Sequence, residues 1–195
     1  MGTLKTGEFS GPRLGYGRGE GPSPIIMPHH GKTPVIPETA YLAPTATVIG
    51  DVVLGEHASL WFNVVARGDV NFIRIGDRTN IQDNSTIHVH VEDCPTIIGS
   101  DVVGGHNIIV HGCTVEDRVL IGMGAVIMDG ALIGRESIVG AGSLVTPGTE
   151  VPPRSLVRGR PARVVREVTD EEVENFILYG VRNYLEYKET YPREG

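Results

Sequence analysis

Aliphatic residues recur at every sixth position through the C-terminal half of the chain. The strictest run consists of Val115, Ile121, Ile127, Ile133, Val139, Val145, Val151 and Val157. Two positions before each aliphatic residue after the first lies a small or β-branched residue: Val119, Ala125, Ala131, Ser137, Ser143, Thr149 and Ser155. A period of six fits neither an α-helix nor a β-hairpin, and it is typical of the hexapeptide repeat of a parallel β-helix. Each hexapeptide then forms one strand and one turn, and three hexapeptides form a triangular coil.

The same six-residue frame occurs upstream with two interruptions. It continues through five more positions: Ile75, Ile81, Ile87, Ile98 and Val110. Eleven residues separate Ile87 from Ile98, so "VHVEDCPT" is predicted to form a loop outside the prism. About six coils would cover the segment from Thr45 to Val157, and stacked coils need caps at their ends.

The C-terminal cap is predicted to be an α-helix lying along one face of the prism. The segment "TDEEVENFILYGVRNYLEYKETY" opens with Thr169 and Glu172, which have the spacing of a capping box. A helical stripe of larger side chains follows, made of Val173, Phe176, Ile177, Val181, Tyr184 and Leu185. We therefore expect an all-β parallel β-helix over residues 31–165 and a helix over residues 166–195.

Residues 1–30 are rich in Gly and Pro, with "PIIMP" as the one regular feature. We interpret this segment as an extended N-terminal arm. His29 and His30 lie in the arm and are expected to be a surface pair.

Charge and composition narrow the choice of partners. The net charge is −7 and the isoelectric point is about 5.5, which disfavours binding to nucleic acid or to an anionic membrane. Only two cysteines occur, Cys94 and Cys113, so there is no disulfide framework. No apolar stretch is typical of a signal peptide or a membrane span, and a cytoplasmic location is expected.

Three histidines have a spacing that favours a metal site. "GGHNIIVHGC" contains His106 and His111, which are five residues apart and therefore belong to different faces of the prism. His88 follows the inward-facing Ile87 just as His111 follows Val110, so both imidazoles should project outward from equivalent places. In a trimer, one face of a subunit meets a different face of its neighbour, and His106 of one chain can converge with His111 of the next. Three imidazoles with an open fourth position are typical of catalytic zinc.

Polar residues upstream of the histidines extend this candidate site. Gln82 comes one hexapeptide before His88, with Asp83 beside it. "ARGDVNF" puts Arg67 and Asp69 on the same side of an extended segment, where they could form an ion pair or take part in the site. Cys113 is interpreted as a small buried residue rather than as a ligand.

The segments "WFNVVARGDVNFIRIGDRTNIQDNSTIHV" and "VGGHNIIVHGCTVEDRVLIGMGAVIMDGALIG" strongly resemble the gamma-class carbonic anhydrases. The resemblance extends over roughly residues 35–190. It implies a left-handed β-helix that forms a homotrimer, with zinc sites at the subunit interfaces. Fe²⁺ or Co²⁺ are other candidates for the metal.

The resemblance also implies roles for individual residues. His88, His106 and His111 match the metal ligands, one of which comes from the neighbouring subunit. The other matched positions are Gln82 (orienting hydroxide or CO2), Asp83 (its polar support), Asn80 (holding Gln82), Arg67 and Asp69 (a pair near the interface) and Tyr184 (closing the pocket). The implied reaction is the reversible hydration of CO2 to bicarbonate by a zinc-bound hydroxide.

The chain departs from the family pattern at the expected proton route. Val70 replaces a Glu that follows the aspartate of the RGD-like motif, and the loop at residues 89–96 is shorter than its acidic counterpart. His90 or Glu92 could carry the proton instead.

Two other functions fit the same scaffold. One is an acyl-CoA thioesterase or acyltransferase, for which hexapeptide enzymes usually need one basic histidine. The other is a catalytically weak trimeric scaffold with a residual metal site.

Overall fold

The computed structural model describes residues 23–91 and 94–191. Nineteen strands and one C-terminal helical segment make up these parts of the chain. In chain order the strands are β1 (Ile25–Met27), β2 (Tyr41–Leu42), β3 (Thr47–Leu54), β4 (Ser59–Leu60), β5 (Val65–Ile75), β6 (Asn80–Ile81), β7 (Thr86–His88), β8 (Thr96–Ile98), β9 (Val103–Gly104), β10 (Ile109–His111), β11 (Thr114–Val115), β12 (Leu120–Ile121), β13 (Val126–Ile127), β14 (Leu132–Ile133), β15 (Ile138–Val139), β16 (Leu144–Val145), β17 (Glu150–Val151), β18 (Ser155–Gly159) and β19 (Ala162–Glu167).

The strands form the three faces of a parallel β-helix. The first face contains β1, the first halves of β3 and β5, and then β7, β10, β13 and β16. The second face contains the second halves of β3 and β5, and then β8, β11, β14 and β17. The third face contains β2, β4, β6, β9, β12, β15 and β18, with β19 added antiparallel at its end.

The prism has about seven turns, six of them from Thr45 onward as predicted. The additional turn precedes Thr45, because Ile25–Met27 pair with β3 and Val35 bridges to Val53. The predicted β-helix is thus confirmed and extended by one turn. The end of the expected arm lies in the sheet, whereas residues 1–22 of that arm lie outside the described residues.

The interior of the prism is filled by the aliphatic residues of the six-residue frame. Every residue of the run from Val115 to Val157 in steps of six is at most 3% exposed. The small residues two positions earlier are buried at the corners where the chain turns between faces, except for Thr149, which is half-buried. Because a coil can bury its apolar side chains only against the coils above and below, this run forms a single continuous core.

Strand β5 makes a bulge at the corner between the first and second faces. Gly50 pairs with Gly68, but the next pair in the ladder joins Val52 to Ile73. Between these two pairs β3 advances by two residues and β5 by five. The extra residues of β5, at positions 69–72, therefore loop outward. A Cβ on Gly50 would lie 2.2 Å from the Gly68 oxygen, so only glycine allows the two strands to approach this closely.

The C-terminal helix runs along the third face, from the last coils back towards the first. It consists of an α-helical turn at Asp170–Glu172, a π-helical stretch at Val173–Leu178 and an α-helix at Tyr179–Thr190. The predicted capping box between Thr169 and Glu172 is present.

Side chains on one side of this helix attach it to the prism. Val173, Ile177 and Val181 are buried, and the Lys188 ammonium donates a hydrogen bond to the Thr39 carbonyl at 3.2 Å. Phe176 was expected in the same stripe but is 55% exposed, because it lies in the π-helical stretch, where the helical repeat is longer.

Candidate metal centre

Two of the three predicted ligands are neighbours on the first face. His88 ends β7, His111 ends β10, and the two residues pair across the parallel ladder. Nδ1 of His88 lies 3.0 Å from Nε2 of His111. Because each follows an inward-facing aliphatic residue, both imidazoles project outward at the corner beside the first face.

The third predicted ligand lies at a different corner of the same chain. His106 follows β9, in the turn between the third and first faces, and its Nδ1 is 2.7 Å from Oδ2 of Asp83. Within residues 23–91 and 94–191 of one chain, no group of three His, Cys, Asp or Glu side chains could hold a metal ion. One chain therefore brings together His88 and His111, but not His106.

Each of the three imidazoles is bonded to its own carboxylate. Nε2 of His88 is 3.0 Å from Oδ1 of Asp69, and Nδ1 of His111 is 2.5 Å from Oδ1 of Asp129. Carboxylates that hold one ring nitrogen are the usual outer partners of metal-binding histidines, because they fix the ring and leave the other nitrogen available.

Asp69 is oriented by the bulge of β5 and by a second charge. Arg67 donates a hydrogen bond to Asp69 and forms an ion pair with it, so the two residues expected to pair do so. Burial raises the pKa of Asp69, but the hydrogen bond with His88 and the charge of Arg67 outweigh it, and the pKa lies below its usual value. Burial lowers the pKa of His88, which favours the neutral imidazole that a metal requires.

The donor set fits a tetrahedral metal such as zinc. Two nitrogens that are each about 2.0–2.1 Å from a tetrahedral ion lie about 3.3 Å apart. The 3.0 Å between His88 and His111 is close to that separation. A site of all three imidazoles would need a second chain, because His106 lies at another corner of the same chain.

Gln82 and Asn80 lie side by side on the third face. The Gln82 amide nitrogen donates to Oδ1 of Asn80 at 3.1 Å, and Ser85 Oγ donates to the Gln82 carbonyl at 2.6 Å. The Ser85 bond is to the backbone carbonyl, so it is the Asn80 contact that orients the Gln82 side-chain amide. Both the Gln82 and Asn80 side chains are buried, beside the corner that carries Asp83 and His106.

Tyr184 belongs to an aromatic group between the C-terminal helix and the first coils. The Trp61 ring lies 5.1 Å from Tyr184, 5.2 Å from Tyr41 and 5.0 Å from Tyr191. Burial raises the pKa of Tyr184 to about 12, and the charge of Asp83 adds to the effect. The phenol of Tyr184 is therefore neutral and lies within the electrostatic influence of Asp83.

Three further residues at the site were not predicted from the sequence: Asp129, Trp61 and Tyr191. Asp129 follows His111 by eighteen residues, or one coil of the repeat, so a carboxylate at this spacing was a usable signal. The contacts of Trp61 and Tyr191 depend on how the helix returns along the prism, which no local pattern reveals. Glu92, one of the two expected proton carriers, lies outside the described residues.

Comparison with known proteins first identifies the class to which this fold belongs. Residues 112–147 match the family described as Bacterial transferase hexapeptide (six repeats). A solved hexapeptide transferase family protein from Anaplasma phagocytophilum has a TM-score of 0.81 and 39% identity, covering 86% of this chain and 98% of that one.

Sequence relatives then identify the family. A probable carbonic anhydrase of Methanocaldococcus jannaschii is 50% identical over 156 residues, which is 80% of this chain and 97% of that protein. The mitochondrial gamma carbonic anhydrase 1 of Arabidopsis thaliana is 44% identical over 168 residues. The chain belongs to the gamma carbonic anhydrase family, as the sequence motifs predicted.

The alignment with the Arabidopsis protein is partial. It includes 84% of this chain but 61% of the plant protein's length. In the described part of the chain, no helix is both long enough and apolar enough to cross a membrane.

Proposed function

We propose that the protein catalyses the reversible hydration of CO2 to bicarbonate at metal sites formed between the subunits of a homotrimer. The observation that carries this proposal is the 3.0 Å approach of His88 to His111, with His106 held at another corner of the same chain. Two imidazoles from one chain and one from its neighbour complete a three-nitrogen site with an open fourth position.

The metal that we propose is zinc, with Fe²⁺ or Co²⁺ as other candidates. His88 and His111 of one subunit would hold it together with His106 of the neighbouring subunit. When bound, zinc lowers the pKa of a water ligand to about 7 and so supplies hydroxide at neutral pH. Asp69, Asp129 and Asp83 would orient the three ligand rings from outside.

The remaining site residues would act on the substrate. The Gln82 amide, fixed by Asn80, would orient the attacking oxygen and the CO2 molecule. Tyr184 would close the pocket on the side of the C-terminal helix, and Asp83 would support both Gln82 and His106. Arg67 would keep Asp69 charged and in place. The reaction consumes one water molecule and releases one proton, which must reach the solvent.

The main alternative is an enzyme that acts on an acyl-CoA. It is suggested by the transferase names of the family match and of the solved neighbour. Acyl transfer needs one general base, whereas here three imidazoles each have a carboxylate partner. That arrangement favours the metal site over the acyl-CoA enzyme and over a scaffold without chemistry. A cytoplasmic location stays a prediction.

The test is stopped-flow hydration of CO2 on protein purified anaerobically, with metal content measured on the same sample. We expect about one metal per chain and hydration that is lost in His88→Ala. His57→Asn is the matched control, because His57 lies at the corner between the second and third faces and asparagine tolerates its φ of 59°. Full metal content without hydration would contradict the proposal, and acyl-CoA thioesters would then be assayed.

A further inference from the structure

The histidine pair of the N-terminal segment is held in an ordered turn. The backbones of His29 and Lys32 exchange two hydrogen bonds of 2.9 Å, which close a turn with His30 and Gly31 at its centre. These two central residues have φ values of 45° and 74°, the left-handed conformation of a tight hairpin turn. The composition predicted an extended arm here and gave no indication of this turn.

The turn forms one wall of a cavity of about 260 Å³ beside the candidate metal centre. The opposite wall is the bulge of β5, including Asp69 and Val70. Asp69 is hydrogen-bonded to His88, so the cavity begins at the residue that orients a proposed metal ligand. Since a water molecule occupies about 30 Å³ of liquid, the cavity has room for several.

The charged groups that face this cavity are already engaged with one another. Asp51 pairs with Arg74 at 2.8 Å and with Lys32 at 3.7 Å, and Asp69 is bonded to Arg67 and His88. Within the described part of the chain, the imidazoles of His29 and His30 contact each other, with ring centroids 4.2 Å apart, and no hydrogen bond to their side chains is formed. The ring nitrogens of His29 and His30 are therefore available to accept a proton from the cavity.

The two imidazoles differ in how they meet the solvent. His29 is half-buried and His30 is exposed. Histidine is the side chain that most readily gains and loses a proton near neutral pH. The pair thus extends from the interior of the cavity to bulk water.

We infer that His29 and His30 accept the proton released by CO2 hydration and pass it to the solvent. This inference rests on the proposed function and identifies the proton route that Val70 and the short loop at residues 89–96 leave open. Once bicarbonate has left, the O–H bond of a new water molecule at the site breaks to regenerate the attacking hydroxide, and the proton moves through water in the cavity to an imidazole nitrogen. The resulting imidazolium gives the proton to a buffer base, which restores the neutral ring.

The test compares His29→Ala, His30→Asn and the double variant with His90→Ala, the competing candidate in the loop. Asparagine is used at position 30 because it tolerates the positive φ. At low buffer concentration we expect kcat of the double variant to fall by about tenfold to a hundredfold. The value of kcat/KM should stay unchanged, since it reports the hydration step itself, and added imidazole should restore kcat. His90→Ala should retain kcat at every buffer concentration.

A second measurement does not depend on turnover. The ring resonances of His29 and His30 in NMR spectra should move in Asp69→Asn and stay in place in Asp83→Asn, because Asp69 lines their cavity and Asp83 does not. The inference is overturned if these resonances ignore Asp69, if kcat is unchanged at low buffer, or if kcat falls in His90→Ala instead. A wild-type protein that contains metal but does not hydrate CO2 refutes the proposed function itself, and that outcome is seen before any variant is made.

Discussion

Two corners of the prism satisfy the same backbone requirement with different chemistry. The charged corner, between the second and third faces, carries Arg78, Asp101, Arg118, Glu136 and Arg154, all with φ between 55° and 59°. The asparagine corner, between the third and first faces, carries Asn63, Asn84 and Asn107, followed by Gly124 and Gly142, with φ between 59° and 67°. Each residue occupies the left-handed region, which L-amino acids other than Asn and Asp rarely adopt.

The charged corner compensates for this conformation through ion pairs that run along the prism axis. Glu136 pairs with Arg118 at 3.1 Å and with Arg154 at 2.8 Å, and Arg154 continues to Asp170 at the start of the helix. Arg78 and Asp101 form a separate pair at 2.7 Å. Because equivalent positions of successive coils lie only about 4.8 Å apart, long side chains of opposite charge meet there without any further backbone change.

The residues of the asparagine corner adopt the left-handed conformation without ion pairs. The surface beside this corner can therefore carry other side chains. His106 and Asp83 immediately precede Asn107 and Asn84 in these turns. The comparison indicates that the charged corner stabilises the coil stack, whereas the other corners carry the proposed metal ligands. Substitutions at the two corners should therefore change different properties.

The largest effect is expected for His111→Ala. We expect the metal content to fall from about one per chain to near zero, with loss of CO2 hydration, because two imidazoles hold a metal far more weakly than three. The circular dichroism and melting temperature of the protein should change little, since His111 points outward. Loss of the folded trimer in this variant would show that the site is structural.

A smaller effect is expected for Asp129→Asn. The carboxylate holds Nδ1 of His111, so its loss should weaken metal binding by about 10- to 100-fold while leaving the fold intact. Metal affinity would be measured by competition with a chelator. An unchanged affinity would mean that Asp129 does not support the ligand.

At the charged corner, Glu136→Gln should affect stability and not catalysis. The free energy of unfolding should fall by about 1–2 kcal/mol, because two arginines lose one shared carboxylate that is only 15% exposed. The loss should shrink in high salt, which screens such pairs. Glu150→Gln is the matched control, since Glu150 forms no ion pair with the described residues, and an equal loss there would remove the special role of the corner.

At the asparagine corner, two substitutions of Asn107 can distinguish the effect of backbone conformation from that of side-chain contacts. Asn107→Ala should destabilise the protein by about 1 kcal/mol, because alanine is poorly suited to a φ of 59°. Asn107→Gly should be nearly neutral, and the two variants would be compared by thermal unfolding. Equal losses in both would indicate that side-chain contacts of Asn107 matter more than its backbone.

The smallest effect is expected for Glu172, at the start of the C-terminal helix near the charged corner, and concerns the stability of the helix in acid. Hydrogen bonds from Arg166 and from the Thr169 backbone lower the pKa of Glu172 from 4.5 to about 2. A carboxylate with a lowered pKa stabilises the fold above its unfolded value, and this contribution is lost as the pH falls from about 4.5 to about 2. Glu172→Gln should remove that part of the pH dependence of helicity, measured by circular dichroism; a wild-type acid profile in the variant would contradict this.

The hexapeptide frame was sufficient to predict the β-helix. Each strand contributes one aliphatic side chain to the interior of the prism, so these residues recur at every sixth position of the sequence. The first turn escaped prediction, since Ile25–Met27 pair with β3 without any repeat of their own. The bulge of β5 was equally hidden, because its extra residues are recognised only when the partner strand is known.

In the candidate site, sequence spacing predicted that His88 and His111 are equivalent and that His106 lies elsewhere. The carboxylate behind each ring depends on contacts between successive coils, so Asp129 was found only in the structure. The cavity at His29 depends on a turn, a glycine contact and a bulge that are far apart in sequence. No local pattern encodes such a juxtaposition.

The central claim is that each metal site combines His88 and His111 of one chain with His106 of the next. The most direct test co-expresses His111→Ala chains and His106→Ala chains with different tags and isolates the mixed trimers. Neither variant alone should bind metal, whereas every mixed trimer should contain one intact site and recover metal and CO2 hydration. Mixed trimers that remain empty and inactive would contradict a site shared between chains.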